Sequence, residues 1–150
     1  MTDIENFLQS AQQQCEKNGT KLTPKRKRIL SILAESGVAT SAYELIDLYS
    51  KAFGEKMQAM SMYRILDFLE SEQLIHKLQL ANKYITCTHI SCDHGHELAQ
   101  FLICNQCNTV REVPIQSSVV ESIRQNVENA DFALLNSQIE LNCLCPACAN

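Results

Sequence analysis

The residues able to do chemistry in this chain are its eight cysteines and four histidines. Four of the cysteines form two CxxC pairs, Cys104 and Cys107 in CNQC and Cys145 and Cys148 in CPAC. A CxxC turn aims two thiolates at one centre. Two such turns supply the tetrahedral four-thiolate set of a structural zinc site, with zinc–sulfur bonds of ~2.3 Å. Zinc held this way would clip the C-terminal segment to a strand end far earlier in the chain. The rival chemistry is a redox CxxC, but that motif belongs with a βαβ pattern, and neither pair has one around it. Cys143 alternates with Ile139 and Leu141 and reads as packing. Cys15 lies on the apolar face of a helix and reads as core.

All four histidines fall in one stretch, His76, His89, His94 and His96, with Cys87 and Cys92 among them. CTHISCDHGH is polar and turn-like, a poor setting for core histidines. Nitrogen and sulfur donors in this mixture suit Zn²⁺, and Glu112 offers a further oxygen. The bland alternative is a loop of solvated histidines, and His89 reads as a bystander. A site using both His76 and Cys87 would join the two halves of the chain, which is the logic of a sensor.

A second chemistry sits earlier. KLTPKRKR puts Lys25, Arg26, Lys27 and Arg28 on the first turn of a helix, where they suit phosphates; the alternative is a solvated face. SMYRILDFLE presents Ser61, Tyr63 and Arg64 near a helix N-terminus. In a helix-turn-helix that end reaches base edges in the major groove. There Arg64 can pair with guanine, and Tyr63 can meet backbone or a thymine methyl, unless Tyr63 is half-buried packing.

The elements that must position these groups follow from periodicity. Ile4, Phe7, Leu8, Ala11 and Cys15 recur at helical spacing to about residue 17, where Asn18-Gly19 ends the run. Thr23 caps a second helix that begins at Pro24 and stops at Ser36-Gly37. Ser41 and Glu44 form a capping box for a third, which carries Leu45 and Leu48 inward. Ser61 is expected to cap a fourth, with Met62, Ile65, Leu66 and Leu69 inward. LIHKLQLANKYITC then reads as a β-hairpin turning at ANK. Downstream, QFLIC and TVREV read as strands around the first CxxC. Pro114 is expected to start a helix with Ile115, Val119, Ile123 and Val127 on one stripe. IELNC reads as a strand with Ile139, Leu141 and Cys143 inward.

The fold class is therefore mixed α and β. Residues 1–86 form an N-terminal winged helix-turn-helix, and residues 87–150 form a small α+β domain with a zinc clip. The charge divides the same way. Residues 1–86 carry 11 Lys+Arg against 10 acids, and residues 87–150 carry 2 against 7, so the halves face different partners. No apolar run is long enough to span a membrane, and MTDIENFLQS is not a signal peptide. These readings point to a cytoplasmic protein whose cysteines are reduced.

Taken together, these stretches resemble the ferric uptake regulator (Fur) family, and more closely its zinc uptake regulator (Zur) branch. LTPKR resembles LTPxR, SAYELIDL resembles SAYDLLDL, and MYRILDFLESEQLIHKL resembles VYRALDFLxxxGLIHKL. FLICNQC is similar to FxICxxC, and LCPAC to the closing CxxC. The resemblance covers nearly the whole chain from LTPKR onward. It implies a homodimeric zinc-responsive repressor on AT-rich inverted-repeat operators of zinc-uptake genes, with about two zinc ions per chain. It implies structural zinc on Cys104, Cys107, Cys145 and Cys148. It implies regulatory ligands at His76, Cys87, one histidine of DHGH, and Glu112. His96 is the first choice, because its spacing to Ala99 matches HxxA, with His94 and Cys92 open. Tyr43 joins Arg26, Ser61, Tyr63 and Arg64 as a DNA-contact candidate.

Three departures stand out. Met60-Ser61-Met62 replaces Pro-Thr-Val, Gln73 replaces the Gly after the recognition helix, and Asn108 replaces the Gly after the first CxxC. Rival readings are an iron- or peroxide-sensing repressor, a zinc buffer, or a zinc-ribbon interaction module. An enzyme is not expected. The zinc deaminase signature is absent, and no small organic substrate or membrane partner is implied.

Overall fold

The computed structural model describes residues 2–87, 98–135 and 138–150. The chain divides into two compact units, Met1–Cys92 and Asp93–Asn150, against an expected join at 86/87. Among the described residues no helix is long and apolar enough to cross a membrane.

The first unit runs α1 (Asp3–Lys17), α2 (Pro24–Ser36), α3 (Ala42–Phe53), α4 (Ala59–Ser71), β1 (Ile75–Leu78) and β2 (Lys83–Thr86). Local chemistry sets most of these ends. Thr2 and Glu5 form a reciprocal capping box on α1, satisfying two N–H groups that the helix leaves open. Thr23 caps α2 with Pro24 at its first position, and Gly37 closes it in the left-handed conformation at φ 65°. Ser41 Oγ accepts from the Glu44 N–H at 3.1 Å. Burial pushes the Glu44 carboxyl up, but the Ser41 hydrogen bonds and the Lys83 charge outweigh it, and the carboxyl sits below its ordinary value.

The start of α4 differs from expectation. The helix begins two residues before Ser61, with Gln58 at the N-cap and no side-chain cap bond. Ser61 is therefore an exposed first-turn residue rather than the cap. Burying Met62 at 0 % exposure sets this phase, and core packing outweighs the local cap preference. Gln73, where a left-handed residue follows α4, keeps that conformation at φ 61° without glycine. In α3 the buried residues are Ala42, Leu45 and Tyr49, while Leu48 is 36 % exposed.

One core ties the helices together: Ala11, Cys15, Ile29, Leu33, Leu45, Met62, Leu66, Leu69 and others, joined by Leu74, Ile75 and Tyr84 from the hairpin. Gln14 of α1 and its C-cap residue Asn18 bond the Glu72 carbonyl and carboxylate respectively, fastening α1 to the turn that leads into the wing. The wing is antiparallel, with His76 opposite Ile85. Its turn residue Asn82 is left-handed at φ 52°, which asparagine tolerates. Thr40 bridges to Tyr84.

The second unit is a three-stranded sheet, β4-β3-β5, with two helices. It comprises β3 (Ala99–Cys104), β4 (Val110–Val113), α5 (Ser117–Asn129), β5 (Gln138–Cys143) and α6 (Pro146–Ala149). β3 pairs antiparallel with β4 and parallel with β5. The expected β-β-α-β order holds, but α5 begins at Ser117, three residues after Pro114. Val120, not Val119, is its buried residue, and Val119 is 43 % exposed. Leu141 is likewise 43 % exposed, because β5 lies at the sheet edge.

Candidate metal centre and nucleic-acid interface

The two CxxC turns meet within the second unit. The β3–β4 turn carries Cys104 and Cys107, and the end of β5 leads into Cys145 and Cys148. Parallel pairing of Cys104 with Cys143 aligns the ends of β3 and β5, which brings the second turn beside the first. The Sγ atoms of Cys104, Cys107, Cys145 and Cys148 all lie within 4.8 Å of one another. Cys107 and Cys145 are 3.6 Å apart. Sulfurs on a zinc tetrahedron with ~2.3 Å bonds sit about 3.8 Å apart, so the cage has the right size.

The electrostatics fit as well. Backbone N–H groups of Cys107, Cys145 and Gln106 point at Cys104 and hold its thiol down to about 6; the Cys145 N–H donates to it at 3.4 Å. The Thr109 hydroxyl, 3.0 Å from Cys107, lowers that thiol too. Cys148, hydrogen-bonded to Cys145, Cys104 and Cys107, is pushed up to about 12. Four sulfurs this close cannot all ionise unless a cation replaces the protons. Thr109 is missed by sequence reasoning, although CNQCNT places it two residues after a ligand. Asn108, between them, is left-handed at φ 61°.

For the second cluster, the hairpin register is informative. Cys87 extends the ladder by donating its N–H to Leu74 O at 3.0 Å. With His76 opposite Ile85, His76 and Cys87 lie on one face as diagonal neighbours, a relation of about 7–8 Å between Cα atoms. Cys87 is 2 % exposed, and the His76 Nε2 atom is buried. An imidazole and a thiol thus share one side of the wing, within reach of a common ion. Glu112 stands on β4 opposite Phe101, on the face where Ala99, Phe101 and Ile103 are buried. His89, Cys92, His94 and His96 lie outside the described residues.

The basic and aromatic candidates separate into two kinds. Arg64 and Ser61 are exposed on the first turns of α4, and Tyr43 on α3 is 67 % exposed. Tyr63 is half-buried against the core. Arg26 is held inward: its guanidinium lies 3.6 Å over the Phe68 ring and Nη1 donates to Lys21 O at 2.8 Å. Arg28 similarly covers Phe53 at 4.7 Å, leaving Lys25 and Lys27 as the exposed cations of the cluster. Sequence alone does not separate these two roles. Met60, marked in the sequence only as a departure from the family pattern, is 65 % exposed in the first turn of α4.

A winged helix that exposes the start of its recognition helix, followed by a sheet domain closed by four cysteines, defines a metal-binding, DNA-contacting regulator. The Ferric uptake regulator family model matches residues 17–142, and the chain belongs to that family. It is 33 % identical over 148 residues to the zinc uptake regulation protein of Escherichia coli (strain K12), covering 98 % of this chain and 84 % of that one. It is 26 % identical over 147 residues to a ferric uptake regulation protein of Helicobacter pylori (strain 26695), covering 97 % of this chain and 93 % of that one. Among solved structures, a zinc uptake regulator complexed with zinc and DNA superposes with a TM-score of 0.87 at 30 % identity, covering 99 % of this chain and 97 % of that one.

Proposed function

We propose that this chain is a cytoplasmic zinc-responsive transcriptional repressor, working as a homodimer that binds AT-rich inverted-repeat operators of zinc-uptake genes when loaded with zinc. The observation that carries the reading is its full-length likeness to a regulator bound to zinc and DNA. Residues 1–86 do the DNA binding, and residues 87–150 supply dimerisation and metal binding. Cys104, Cys107, Cys145 and Cys148 hold a structural zinc, as their mutual spacing supports. His76 and Cys87 are ligands of an exchangeable zinc, with His96 and Glu112 completing the set and His94 and Cys92 the alternates for His96. Zinc bound there would supply a Lewis-acid centre for these side chains to ligate. A thiolate in the set favours zinc over Fe(II), whose usual partners are imidazole and carboxylate, and so favours zinc sensing over iron or peroxide sensing.

The response is a population shift. His76 and Cys87, once ligated, fix the wing hairpin, and the DNA-competent form must bind metal more tightly than the idle form by the same factor that metal raises operator affinity. Arg64 reads the operator with half-buried Tyr63 beside it, Tyr43 and Ser61 support the contact from the surface, and Arg26 supports it indirectly by stacking on Phe68 of the recognition helix. The chain acts by binding, not by catalysis.

Zinc per chain, measured before and after a mild chelator alongside DNase footprinting, tests this. Two zinc ions are expected to fall to one as the footprint disappears. His76→Ala and Cys87→Ala should keep the structural zinc and the fold yet give no footprint at any zinc level. One zinc throughout, or variants that footprint like the parent, would leave a DNA-binding protein with only a structural ion.

A further inference from the structure

Two methionines two residues apart on α4 have opposite fates. Met62 is 0 % exposed and sits in the core, whereas Met60 is 65 % exposed. Among the described residues, Met60 is absent from the core and from the half-buried hydrophobics packed on it. It occupies the first turn of the recognition helix, whose N-cap Gln58 makes no side-chain bond across that turn. Four residues on, and on the same stripe of the helix, stands exposed Arg64.

We infer that Met60 is a specificity-determining residue that reads a thymine by packing its thioether chain against the C5-methyl group in the major groove. The inference rests on the repressor reading above. Each base pair presents a distinct pattern in that groove, and the thymine methyl is its one apolar feature. An unbranched, polarisable side chain adapts its shape to such a target. Contact with DNA also removes from water an apolar surface that the folded chain leaves exposed. The helix fixes where the thymine lies. Met60 and Arg64 are about 6 Å apart along the axis, and successive base pairs are ~3.4 Å apart. The thymine read by Met60 therefore falls within about two base pairs of the guanine read by Arg64.

The experiment uses the full-length, zinc-loaded protein and an operator obtained by selection from random duplex DNA. Single thymines are replaced by deoxyuridine, which removes only the methyl group, and affinities are compared for the parent, Met60→Ala and Met60→Leu. The parent is expected to lose roughly fourfold in affinity at one thymine per half-site, in line with burial of one methyl-sized group. That thymine should lie within two base pairs of the guanine whose discrimination disappears in Arg64→Ala. Met60→Ala should bind methylated and methyl-free operators alike, and Met60→Leu should retain most of the discrimination. Circular dichroism of the variants confirms the fold, which an exposed side chain does not support. If Met60→Ala keeps the full deoxyuridine penalty, or if the parent shows none anywhere, the inference is overturned while the repressor reading stands. If the parent selects no sequence at all, both fall together.

Discussion

The double variant Cys145→Ser/Cys148→Ser should strongly destabilise the second unit while leaving the first unchanged. Among the described residues, the buried apolar ones of the second unit are Leu98, Ala99, Phe101, Ile103, Cys104 and Val120. A small unit with so few buried residues depends on a cross-link. A metal clip joining Cys107 to Cys145, 38 residues apart, restricts the unfolded chain as a covalent bridge would, by about 4 kcal/mol for a loop of that length. A domain of this size holds roughly 3–9 kcal/mol in total, at ~0.05–0.15 kcal/mol per residue. The clip is thus worth about half of it or more. The chain has no Trp, so the assay of choice is native-state hydrogen exchange by mass spectrometry. In the variant, amides of β3, β4 and β5 should lose protection by two to three orders of magnitude, in step with ~4 kcal/mol. Amides of α2 and α4 should be unchanged. Strong chelation of the parent should reproduce the pattern, and zinc should reverse it in the parent only. Equal protection of β3–β5 in parent and variant would refute the clip.

Three further outcomes follow from single contacts. Arg26→Ala should destabilise the first unit by about 1–2 kcal/mol in urea melts, from loss of the Phe68 stack and the Lys21 carbonyl bond, with Arg26→Lys restoring less than half; unchanged stability with weakened DNA binding would make Arg26 a phosphate contact instead. Gln73→Gly should stabilise by about 0.5–1 kcal/mol, because the left-handed backbone at Gln73 costs a side chain more than it costs glycine; a melt showing no gain would count against strain there. Burial, reinforced by Asp67 and Glu70, pushes the Tyr84 hydroxyl up to about 12 from 10.0, so the folded state favours the neutral phenol. That contribution is complete below pH 10 and is lost as pH rises toward 12. Urea melts between about pH 9 and pH 11.5 should therefore show the parent losing up to roughly 2 kcal/mol relative to Tyr84→Phe; parallel curves for the two proteins would refute the shift.

How far the sequence reached depended on whether a signal was local. Thr23-Pro24, Asn18-Gly19 and Ser41 mark helix ends because capping acts within one turn, and all three fall at observed boundaries. The start of α4 was not legible in this way. Ser61 has the better capping side chain, but tertiary burial of Met62 and Leu66 selects the phase, and the helix begins earlier. Pro114 fits a first helical position equally well, yet it follows β4 in an extended segment, because the pairing of β3 with β4 carries the chain through Val113.

For the candidate site, the types and spacing of four cysteines determined the donor set, since CxxC geometry is a property of a single turn. Only the tertiary structure decided that the two pairs converge, through the parallel register of β3 and β5. Hairpin register likewise decided that His76 and Cys87 share a face, a fact that depends on which residues pair across the turn. Charge at positions 25–28 was visible in the sequence, but its division between solvent and structure was not. Whether an arginine reaches outward or lies over a phenylalanine depends on Phe68 and Phe53, which only folding brings beneath Arg26 and Arg28. Sequence determines which chemistry is available and where the chain can turn; packing between distant segments decides which side chains are left free to use it.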